Sequence, residues 1–246
     1  AGHKVYAAAR RVERMEELKD IGVIPLRFDI TQPDQIESLA TEVLNREEQF
    51  DVLINNAGCG VYGAVEDISM EEARRQFEVN FFGHAQLTQF FLPRMREAKR
   101  GTIINVSSVG GKIYTPMGAW YHASKHALEG WTDCLRLELQ SFGIDVILVQ
   151  PGAVDTEFGY SMVEPMLERS GSGHYSGLAT AMANNVRKHY APEKISPASL
   201  VAKTISSAVH ARRPKTRYAT GKFARPLIFA RRILHDRLFD RLMKTS

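Results

Sequence analysis

Residues 102–149 read TIINVSSVGGKIYTPMGAWYHASKHALEGWTDCLRLELQSFGIDVILV. The apolar runs at Thr102–Val106 and Asp145–Val149 predict two buried β-strands. A helix is predicted between them, from Tyr121 to about Phe142, and it is followed by Gly143, a residue type that commonly ends helices. A strand, a helix and a second strand in this order are typical of a βαβ unit, in which the two strands are parallel.

The same alternation of strand and helix patterns continues on both sides of this unit. Further short apolar runs predict strands at Lys4–Ala9, Ile24–Phe28, Asp51–Asn55 and Arg217–Ala219. Helix-start signals stand at Thr31 with Pro33, at Ser69 with Glu72 as a capping box, and at Ser196 with Pro197. The pattern predicts an α/β fold with a parallel sheet, and residues 1–246 are expected to form one domain.

The composition is ordinary for a globular protein, with 44% hydrophobic and 24% charged residues. No apolar run approaches the ~20 residues that a membrane-spanning helix needs. Two cysteines, Cys59 and Cys134, provide no disulfide framework, which favours a reducing, cytoplasmic setting. The net charge of +4 is uneven, because residues 211–246 hold eleven Lys/Arg and two Asp. This basic end is suited to a membrane surface, a partner or solvent.

A serine, a tyrosine and a lysine form the most informative chemical pattern. Tyr121 and Lys125 are four residues apart, so their side chains share one face of a helix. The ammonium is expected to lower the pKa of the phenol, about 10 when free, so that the tyrosine exchanges a proton with an alcohol or ketone. Ser108 ends the preceding strand and is expected to point at the same spot. By itself, the Tyr-Lys spacing is more often two residues on a solvated helix face.

Residues suited to a ligand follow several predicted strands, and ligands of open α/β sheets bind beyond the carboxyl ends of strands. The run Asn55–Gly58 supplies amides and a glycine that let a ligand approach the backbone of Asn56, Ala57 and Gly58. Asp29 is suited to accept a hydrogen bond from an adenine amino group. Pro151, Gly152 and Thr156 follow the strand that ends at Val149. Each of these residues has an ordinary alternative as part of a turn or a helix cap.

Arg10 and Arg11 follow the first predicted strand. A dinucleotide site that selects NAD usually has an acid here for the ribose 2′-hydroxyl, whereas an arginine accommodates a 2′-phosphate. No acid precedes Glu13, so the sequence favours NADP(H) over NAD(H). The alternative is a pair of surface arginines at the start of a helix.

Taken together, these residues resemble the short-chain dehydrogenase/reductase family over about residues 2–221. The motifs that carry the resemblance are Asn55–Gly58, Asn80 in Glu78-Val79-Asn80, Asn105-Val106-Ser107-Ser108, Tyr121 with Lys125, and Pro151-Gly152. Ser107–Gly111 and His122–Gly130 are similar to the branch that contains 17β-hydroxysteroid and retinol dehydrogenases. The resemblance implies a Rossmann-type doubly wound parallel sheet in three α/β/α layers, with seven strands in the order 3-2-1-4-5-6-7.

The resemblance also implies a nicotinamide cofactor and a role for each residue of the site. Tyr121 would be the general acid/base, and Ser108 would hydrogen-bond the reacting oxygen. Lys125 would hold the nicotinamide ribose and depress the tyrosine pKa. Asn80 would anchor a water that completes a proton path from Lys125, although by its own pattern it is a helix-interior amide bonded to backbone. No metal ligands are expected.

The sequence departs from the family at its start. Members begin with a strand, a glycine-rich turn of TGxxxGIG type and a helix, and Ala1-Gly2-His3-Lys4 looks like the end of that helix. This first strand is missing from the given chain, as part of a segment of roughly 25 residues. Because that strand is central in the implied order, the working protein is expected to contain it. Without it, unpaired backbone groups would each cost about 1–3 kcal/mol.

Residues 153–192 lack a strand pattern and are expected to form a lid over the substrate. Gly171, Gly173 and Gly177 suggest flexible joints. Large apolar residues occur in this segment and just before Tyr121: Phe158, Tyr160, Met162, Val163, Met166, Leu167, Tyr175, Met182, Tyr114, Met117 and Trp120. They are suited to a hydrophobic alcohol or ketone, such as a steroid-, retinoid- or lipid-like molecule. The equal alternative is that they pack the lid onto the body.

Residues 226–244 predict one basic amphipathic helix whose apolar stripe comprises Leu227, Ala230, Leu234, Leu238 and Leu242. It could pack on its own or a neighbouring subunit, contact a membrane peripherally, or remain solvated. Nucleic-acid binding is not expected, since Phe229 and Phe239 alone make no stacking platform. By resemblance, the helices at about Met70–Met95 and Tyr121–Phe142 would form a homodimer or homotetramer interface.

The leading hypothesis is an NADP(H)-dependent oxidoreductase that moves a hydride between nicotinamide and a hydrophobic alcohol or ketone. A non-catalytic nucleotide-binding sensor or scaffold on the same fold is the alternative. The set of Ser108, Tyr121 and Lys125 favours the enzyme, and the absent glycine-rich turn favours the alternative.

Overall fold

The computed structural model describes residues 2–245, so Ala1 and Ser246 of the predicted domain lie outside the described residues. The strands are β1 Val5–Ala9, β2 Val23–Arg27, β3 Val52–Asn55, β4 Gly101–Val106, β5 Ile144–Pro151, β6 Val154–Asp155, β7 Ser196–Pro197 and β8 Arg217–Thr220. Six of them were predicted to within two residues. The pair β6 and β7 was missed, because segments of two residues show no periodicity.

All ladders between these strands are parallel. β2 pairs with β1, while β3, β4, β5 and β8 form a second sheet in that order. The facing edges of β1 and β3 are not hydrogen-bonded to each other, and a cleft of about 1450 Å³ lies between them. Residues 2–245 therefore do not form one continuous seven-stranded sheet. The strand order agrees with the implied order on both sides of the cleft, and the further central strand stays a prediction.

The helices are α1 Pro33–Arg46, α2 Met70–Phe77, α3 Gly83–Ala98, α4 Ala119–Leu139, α5 Glu157–Ser161, α6 Val163–Ser170, α7 Ser176–His189, α8 Ala198–Val209, α9 Ala224–Ile233 and α10 Asp236–Thr245. α2 and α3 are joined by a π-helical turn, Glu78–Phe82. A 3₁₀ turn after α4 leads to Gly143, whose φ of 69° ends the helix as predicted. Among residues 2–245, no helix is both long and apolar enough to cross a bilayer.

Two helix starts differ from their predictions, one because of a neighbouring residue and one because of a distant strand pairing. The Ser69–Glu72 capping box is present. Thr31 does not cap α1, because its hydroxyl donates to Asp29 Oδ1 at 2.9 Å, and Gln32 takes the cap position. The helix predicted from Ser196 begins instead at Ala198, since Ser196 and Pro197 pair with β6.

Alternation along the central strands produces the three layers of the Rossmann-type fold. On one face, Ile103 of β4 packs with residues of α1, α3 and α4 in the largest core cluster. On the other, Ile104 of β4 packs with Ile147 of β5 and Ala208 of α8. Successive strand residues point to opposite faces, so both faces of the sheet are covered, as continuous apolar strands require.

The basic tail forms two helices rather than the predicted single one. α9 ends at Ile233 and α10 begins at Asp236, which shifts the phase of the apolar stripe. Leu227, Ala230 and Leu234 pack inward, but in α10 the inward residues are Phe239 and Met243. Leu238 and Leu242 are 41% and 38% exposed. The inner face of the tail therefore packs on its own chain, against Ile113 and Tyr114.

Candidate active site

The structure brings Ser108, Tyr121 and Lys125 to one place. Ser108 follows β4 and caps a 3₁₀ turn, Val109–Gly111, by accepting from Gly110 N at 3.0 Å. Tyr121 and Lys125 lie one turn apart on α4 and are 6% and 4% exposed. The Ser108 hydroxyl is close enough to the Tyr121 phenol to lower its pKa. The predicted juxtaposition of the serine and the tyrosine is thus present in the geometry.

The pKa of Tyr121 is shifted opposite to the predicted direction. Burial raises the pKa of the phenol, and this effect outweighs that of the Ser108 hydroxyl, which lowers it. Burial likewise lowers the pKa of Lys125 to about 8, against the attraction of Cys59 and Glu129. The Lys125 ammonium donates to the Val106 carbonyl at 2.9 Å. Tyr121 is therefore a neutral phenol at neutral pH, the form in which it can donate a proton.

His122 fixes the loop that precedes the tyrosine, and sequence reasoning missed it. Its Nε2 accepts from Thr115 N at 3.1 Å, so the ring proton is on Nδ1, which donates to the Gly110 carbonyl at 2.9 Å. Burial lowers the pKa of His122, which favours this neutral form. A Cβ on Gly110 would lie 2.9 Å from the Tyr121 ring, so the Ser108 turn packs directly on the tyrosine.

Asn80 and Gln76 hold the loop after β3. The Asn80 amide accepts from Cys59 N at 2.9 Å and donates to the Cys59 carbonyl and to Ser124 Oγ, both at 3.0 Å. Gln76, one turn earlier, accepts from Val61 N at 2.6 Å and also donates to the Cys59 carbonyl. Asn80 lies in the π-helical turn, a feature often found at functional sites. Gln76 was missed because a single glutamine in a helix carries no sequence signal.

The cleft between the two sheets brings together six of the predicted cofactor residues: Arg10, Arg11, Asp29, Asn56, Ala57 and Gly58. Pro151, Gly152 and Thr156 lie outside this lining, at and after the carboxyl end of β5. Gly152 has a packing role, because a Cβ there would lie 2.1 Å from the Lys222 carbonyl oxygen. Asp29 Oδ1 accepts a hydrogen bond from the Thr31 amide at 3.0 Å. This bond is the one expected of a turn residue, which was the alternative to an adenine contact for Asp29.

The residues that follow β1 and β3, at the rim of the cleft, fit a dinucleotide. At one end, Arg10 and Arg11 supply guanidinium groups. At the other, a Cβ on Gly58 would lie 3.8 Å from Lys125 Nζ and 3.7 Å from Asn80 Oδ1, so the glycine lies beside the catalytic lysine at van der Waals distance. The Lys125 ammonium has three donors, and the bond to Val106 uses one of them. These groups suit a phosphate at one end and a ribose hydroxyl at the other.

An apolar cluster covers Tyr121. Its buried members are Tyr62, Ala64, Met117, Met162, Val163, Met166, Ala179, Ala183 and Val186, with Phe158, Leu167, Tyr175, Met182 and Tyr190 packed against them. The rings of Tyr62 and Phe158 lie 5.5 and 5.4 Å from that of Tyr121. Most of the apolar residues predicted for a pocket are here. Tyr160 is instead exposed, and Tyr114 packs on Phe239 of the tail.

Comparison with known proteins identifies the family. A sequence model described as short chain dehydrogenase matches residues 1–166. The chain is 32% identical over 245 residues to the probable short-chain type dehydrogenase/reductase VdlC of Helicobacter pylori, covering 99% of this chain and 88% of that protein. It is 40% identical over 158 residues to the 3-ketodihydrosphingosine reductase of Bacteroides thetaiotaomicron, covering 64% of this chain and 57% of the reductase. The chain belongs to the short-chain dehydrogenase family, a family of oxidoreductases, and the predicted family is confirmed.

Solved structures show the same fold. A short-chain dehydrogenase from Streptomyces avermitilis is 31% identical, with a TM-score of 0.78 over 93% of this chain and 82% of that chain. A short-chain dehydrogenase/reductase from Burkholderia phymatum in complex with NAD is 25% identical, with a TM-score of 0.77 and coverage of 96% and 85%. A metagenomic short-chain oxidoreductase in complex with NADP is 27% identical, with a TM-score of 0.62 and coverage of 88% and 85%. The predicted Rossmann-type fold is confirmed.

Proposed function

We propose that this protein is an NADP(H)-dependent oxidoreductase that transfers a hydride between nicotinamide and a hydrophobic alcohol or ketone. The observation that carries this proposal is that Lys125 lies beside Gly58 of the cleft while Tyr121, one turn earlier on α4, packs in the apolar cluster. One side of the site suits a dinucleotide and the other an apolar substrate. The complete catalytic set supports the enzyme over the non-catalytic sensor or scaffold.

In this proposal the cofactor supplies the hydride, and the side chains manage the proton. Tyr121 donates its phenolic proton to the carbonyl oxygen during reduction, and it accepts one from the alcohol during oxidation. Ser108 donates a hydrogen bond to the same oxygen. Lys125 holds the nicotinamide ribose. Asn80 supports the site by fixing Cys59 and Ser124, and the water that it was predicted to anchor stays a prediction.

The segment 153–192, which comprises α5 to α7 and their connections, is proposed to act as the lid. Its apolar side chains bury Tyr121, so a substrate reaches the phenol only when they move apart. Gly171 and Gly173 lie between α6 and α7 and are suited to such a motion, whereas Gly177 is inside α7. Closing the lid over the substrate would exclude water from the reaction.

The apolar cluster and one relative support the proposed substrate class. The B. thetaiotaomicron protein is a 3-ketodihydrosphingosine reductase, whose name denotes a long-chain ketone. A panel of steroid, retinoid and long-chain ketones, with NADPH and short polar ketones for comparison, tests the proposal. We expect turnover that rises with apolar chain length or ring number. Faster reduction of the short polar ketones would contradict the substrate class.

The preference for NADP(H) is assigned to Arg10 and Arg11. Relatives of this fold bind either NADP or NAD, so the choice depends on these local residues. In the structure the Arg11 guanidinium pairs with Glu157 at 3.2 Å, and Arg14 pairs with the same carboxylate at 2.8 Å. Both arginines are exposed and near the lid, but only Arg11 lies within two residues of the end of β1.

Replacing Arg11 with alanine is expected to weaken NADPH binding about tenfold while leaving NADH binding within about twofold. The reason is the loss of a charge-assisted hydrogen bond to the 2′-phosphate, worth about 1.5–3 kcal/mol. Nucleotide fluorescence titration measures both affinities. Glu157→Gln is the control, since it breaks the same ion pair without removing a residue that lines the cleft. An equal loss for both cofactors in Arg11→Ala would refute the assignment.

Peripheral membrane contact is proposed for the outer face of α9. Phe229 and Ile233 are 62% and 61% exposed, and they share this face with Arg225 and Arg232. Residues 211–235 contain no Asp or Glu. Exposed apolar side chains among arginines suit the headgroup region of an anionic bilayer.

Flotation with phosphatidylserine-containing liposomes tests this contact. We expect wild type to float and the double variant Phe229→Ser/Ile233→Ser to float several-fold less, because the variant loses the two exposed apolar side chains of α9. The inner face of the tail is unchanged in this variant, so its packing on the rest of the chain is retained. Leu137→Ser, which alters an equally exposed apolar residue on α4, is the control and should float like wild type. Equal recovery of all three proteins would exclude a role for α9.

A cytoplasmic location and a homodimer or homotetramer through α2, α3 and α4 stay predictions.

A further inference from the structure

Glu129 is a buried carboxylate to which the proposed chemistry assigns no role. It lies on α4 one turn after Lys125 and is 2% exposed. Its Oε2 lies 3.0 Å from Lys112 Nζ and 3.2 Å from Arg217 Nε, and its Oε1 accepts from Gln150 Nε2 at 2.9 Å. A carboxylate removed from water to this degree is tolerated only with such a set of donors.

The partners of Glu129 come from segments that carry the candidate site. Lys112 directly follows the turn that Ser108 caps, and Gln150 immediately precedes Pro151 in β5. The contact between the turn and the helix is close, since a Cβ on Gly111 would lie 2.8 Å from Glu129 Cγ and 3.0 Å from the Lys125 carbonyl oxygen. One side chain therefore fastens the serine turn to the helix of the tyrosine and lysine.

Glu129 also contributes to the charge around Lys125. The titratable groups that face Lys125 are Cys59 after β3, His84 on α3, and Tyr121 and Glu129 on α4. Of these, Glu129 is the carboxylate, and its attraction raises the lysine pKa against the effect of burial. Lys112 and Arg217, which bind the same carboxylate, offset part of its charge.

We propose that Glu129 is a positioning residue of the active site, which holds the Ser108 turn against α4 and places a negative charge one helical turn from Lys125. The link to catalysis rests on the proposed function, because Lys125 is assigned there to the cofactor ribose. The electrostatic link between the two side chains does not depend on which substrate is reduced.

Two substitutions in the same cluster test the electrostatic part, because they change the charge near Lys125 in opposite senses. Glu129→Gln removes the negative charge and is expected to lower the Lys125 pKa by about half to one unit. Lys112→Met removes a positive charge beside the carboxylate and is expected to raise it by a few tenths of a unit. Asp133→Asn is the control, since Asp133 also binds Arg217 but lies two helical turns from Lys125.

Lysine Cε chemical shifts, measured by NMR across pH in the full chain, report the pKa directly, and the Lys125 signal is the one that is lost in Lys125→Met. The pH profile of kcat/KM for ketone reduction is the second measurement, and its basic limb should move with the lysine. A merely structural role would lower activity or melting temperature in both variants without opposite shifts.

Opposite displacements of the Lys125 titration, with Asp133→Asn unchanged, would support the proposal. Shifts in the same direction, or none, would overturn it. If Glu129→Gln does not fold, Lys112→Met alone tests the proposal. A rise of the Lys125 pKa in that variant supports the proposal, and no change or a fall overturns it. Because the NMR titration needs no substrate, opposite shifts in a protein that reduces no carbonyl would contradict the proposed function while leaving the coupling of Glu129 to Lys125 intact.

Discussion

Replacing Tyr121 with phenylalanine is expected to lower kcat about a thousandfold, while NADPH affinity stays within about threefold of wild type. Positioned proton transfer contributes about 10²–10⁴-fold to a rate, and the phenol is the proton donor in the proposed reaction. The ring itself is retained, so its packing against Tyr62 and Phe158 persists. Steady-state kinetics with a hydrophobic ketone and a direct cofactor titration measure the two quantities.

Tyr62→Phe provides the matched control for this experiment. Tyr62 is also buried, its ring lies 5.5 Å from that of Tyr121, and it likewise carries a phenol whose pKa is raised by burial. The variant should retain kcat within a few-fold, because a hydroxyl outside the Ser108 contact does not donate the proton. Near wild-type turnover in Tyr121→Phe, or an equal loss in both variants, would contradict the assigned role.

Lys125→Met is expected to lower kcat/KM about a hundredfold without lowering stability at pH 7. The loss of activity is of the size seen when one preorganised polar group is removed from a site. The stability argument follows from burial. The lysine pKa is about 8 in the folded protein, against 10.5 for the ordinary side chain. Keeping the buried ammonium charged at pH 7 therefore costs about 3 kcal/mol, which outweighs the loss of one hydrogen bond.

The contribution of Lys125 to the free energy of unfolding changes with pH. Between pH 8 and pH 10.5 the unfolded state binds more protons at this site than the folded state does, so the free energy of unfolding rises with pH in that window. Lys125→Met should abolish this rise, whereas Lys203→Met, on the exposed side of α8, should leave it unchanged. Denaturant unfolding at pH 7 to 10 measures it. A variant that is clearly less stable than wild type at pH 7 would show that the ammonium stabilises the fold.

Helix ends that a few neighbouring residues determine were mostly predicted, whereas a helix start that depends on a distant strand was not. The capping box of Ser69 and the helix end at Gly143 were predicted because three or four neighbouring residues determine them. Thr31 failed as a cap because its hydroxyl donates a hydrogen bond to Asp29 instead of accepting one from the helix backbone. Ser196 failed as a helix start because it pairs with a strand about 40 residues earlier in the chain, a contact that local pattern does not encode.

In the basic tail, the amphipathic pattern did not reveal a break between two helices. The leucines from Leu227 to Leu242 suggested one stripe on one helix, but a break after Ile233 rotates the second helix relative to the first. As a result Phe239 becomes buried and Leu238 is left exposed. Tyr114, expected near the substrate, is held at the tail by Phe239 and by a hydrogen bond to Asp240 at 2.9 Å.

The sequence by itself determined six of the eight strands, the start of α2, the end of α4 at Gly143, the family and the residue types of the site, because each depends on spacing within a short stretch. Only the tertiary structure decided the direction of the Tyr121 pKa and the partners of Gln76, His122 and Glu129. The physical reason is desolvation. Side chains of the segment 153–192 remove water from the phenol, and burial then outweighs the effect of neighbouring polar groups, whereas sequence spacing shows the neighbours but not the burial.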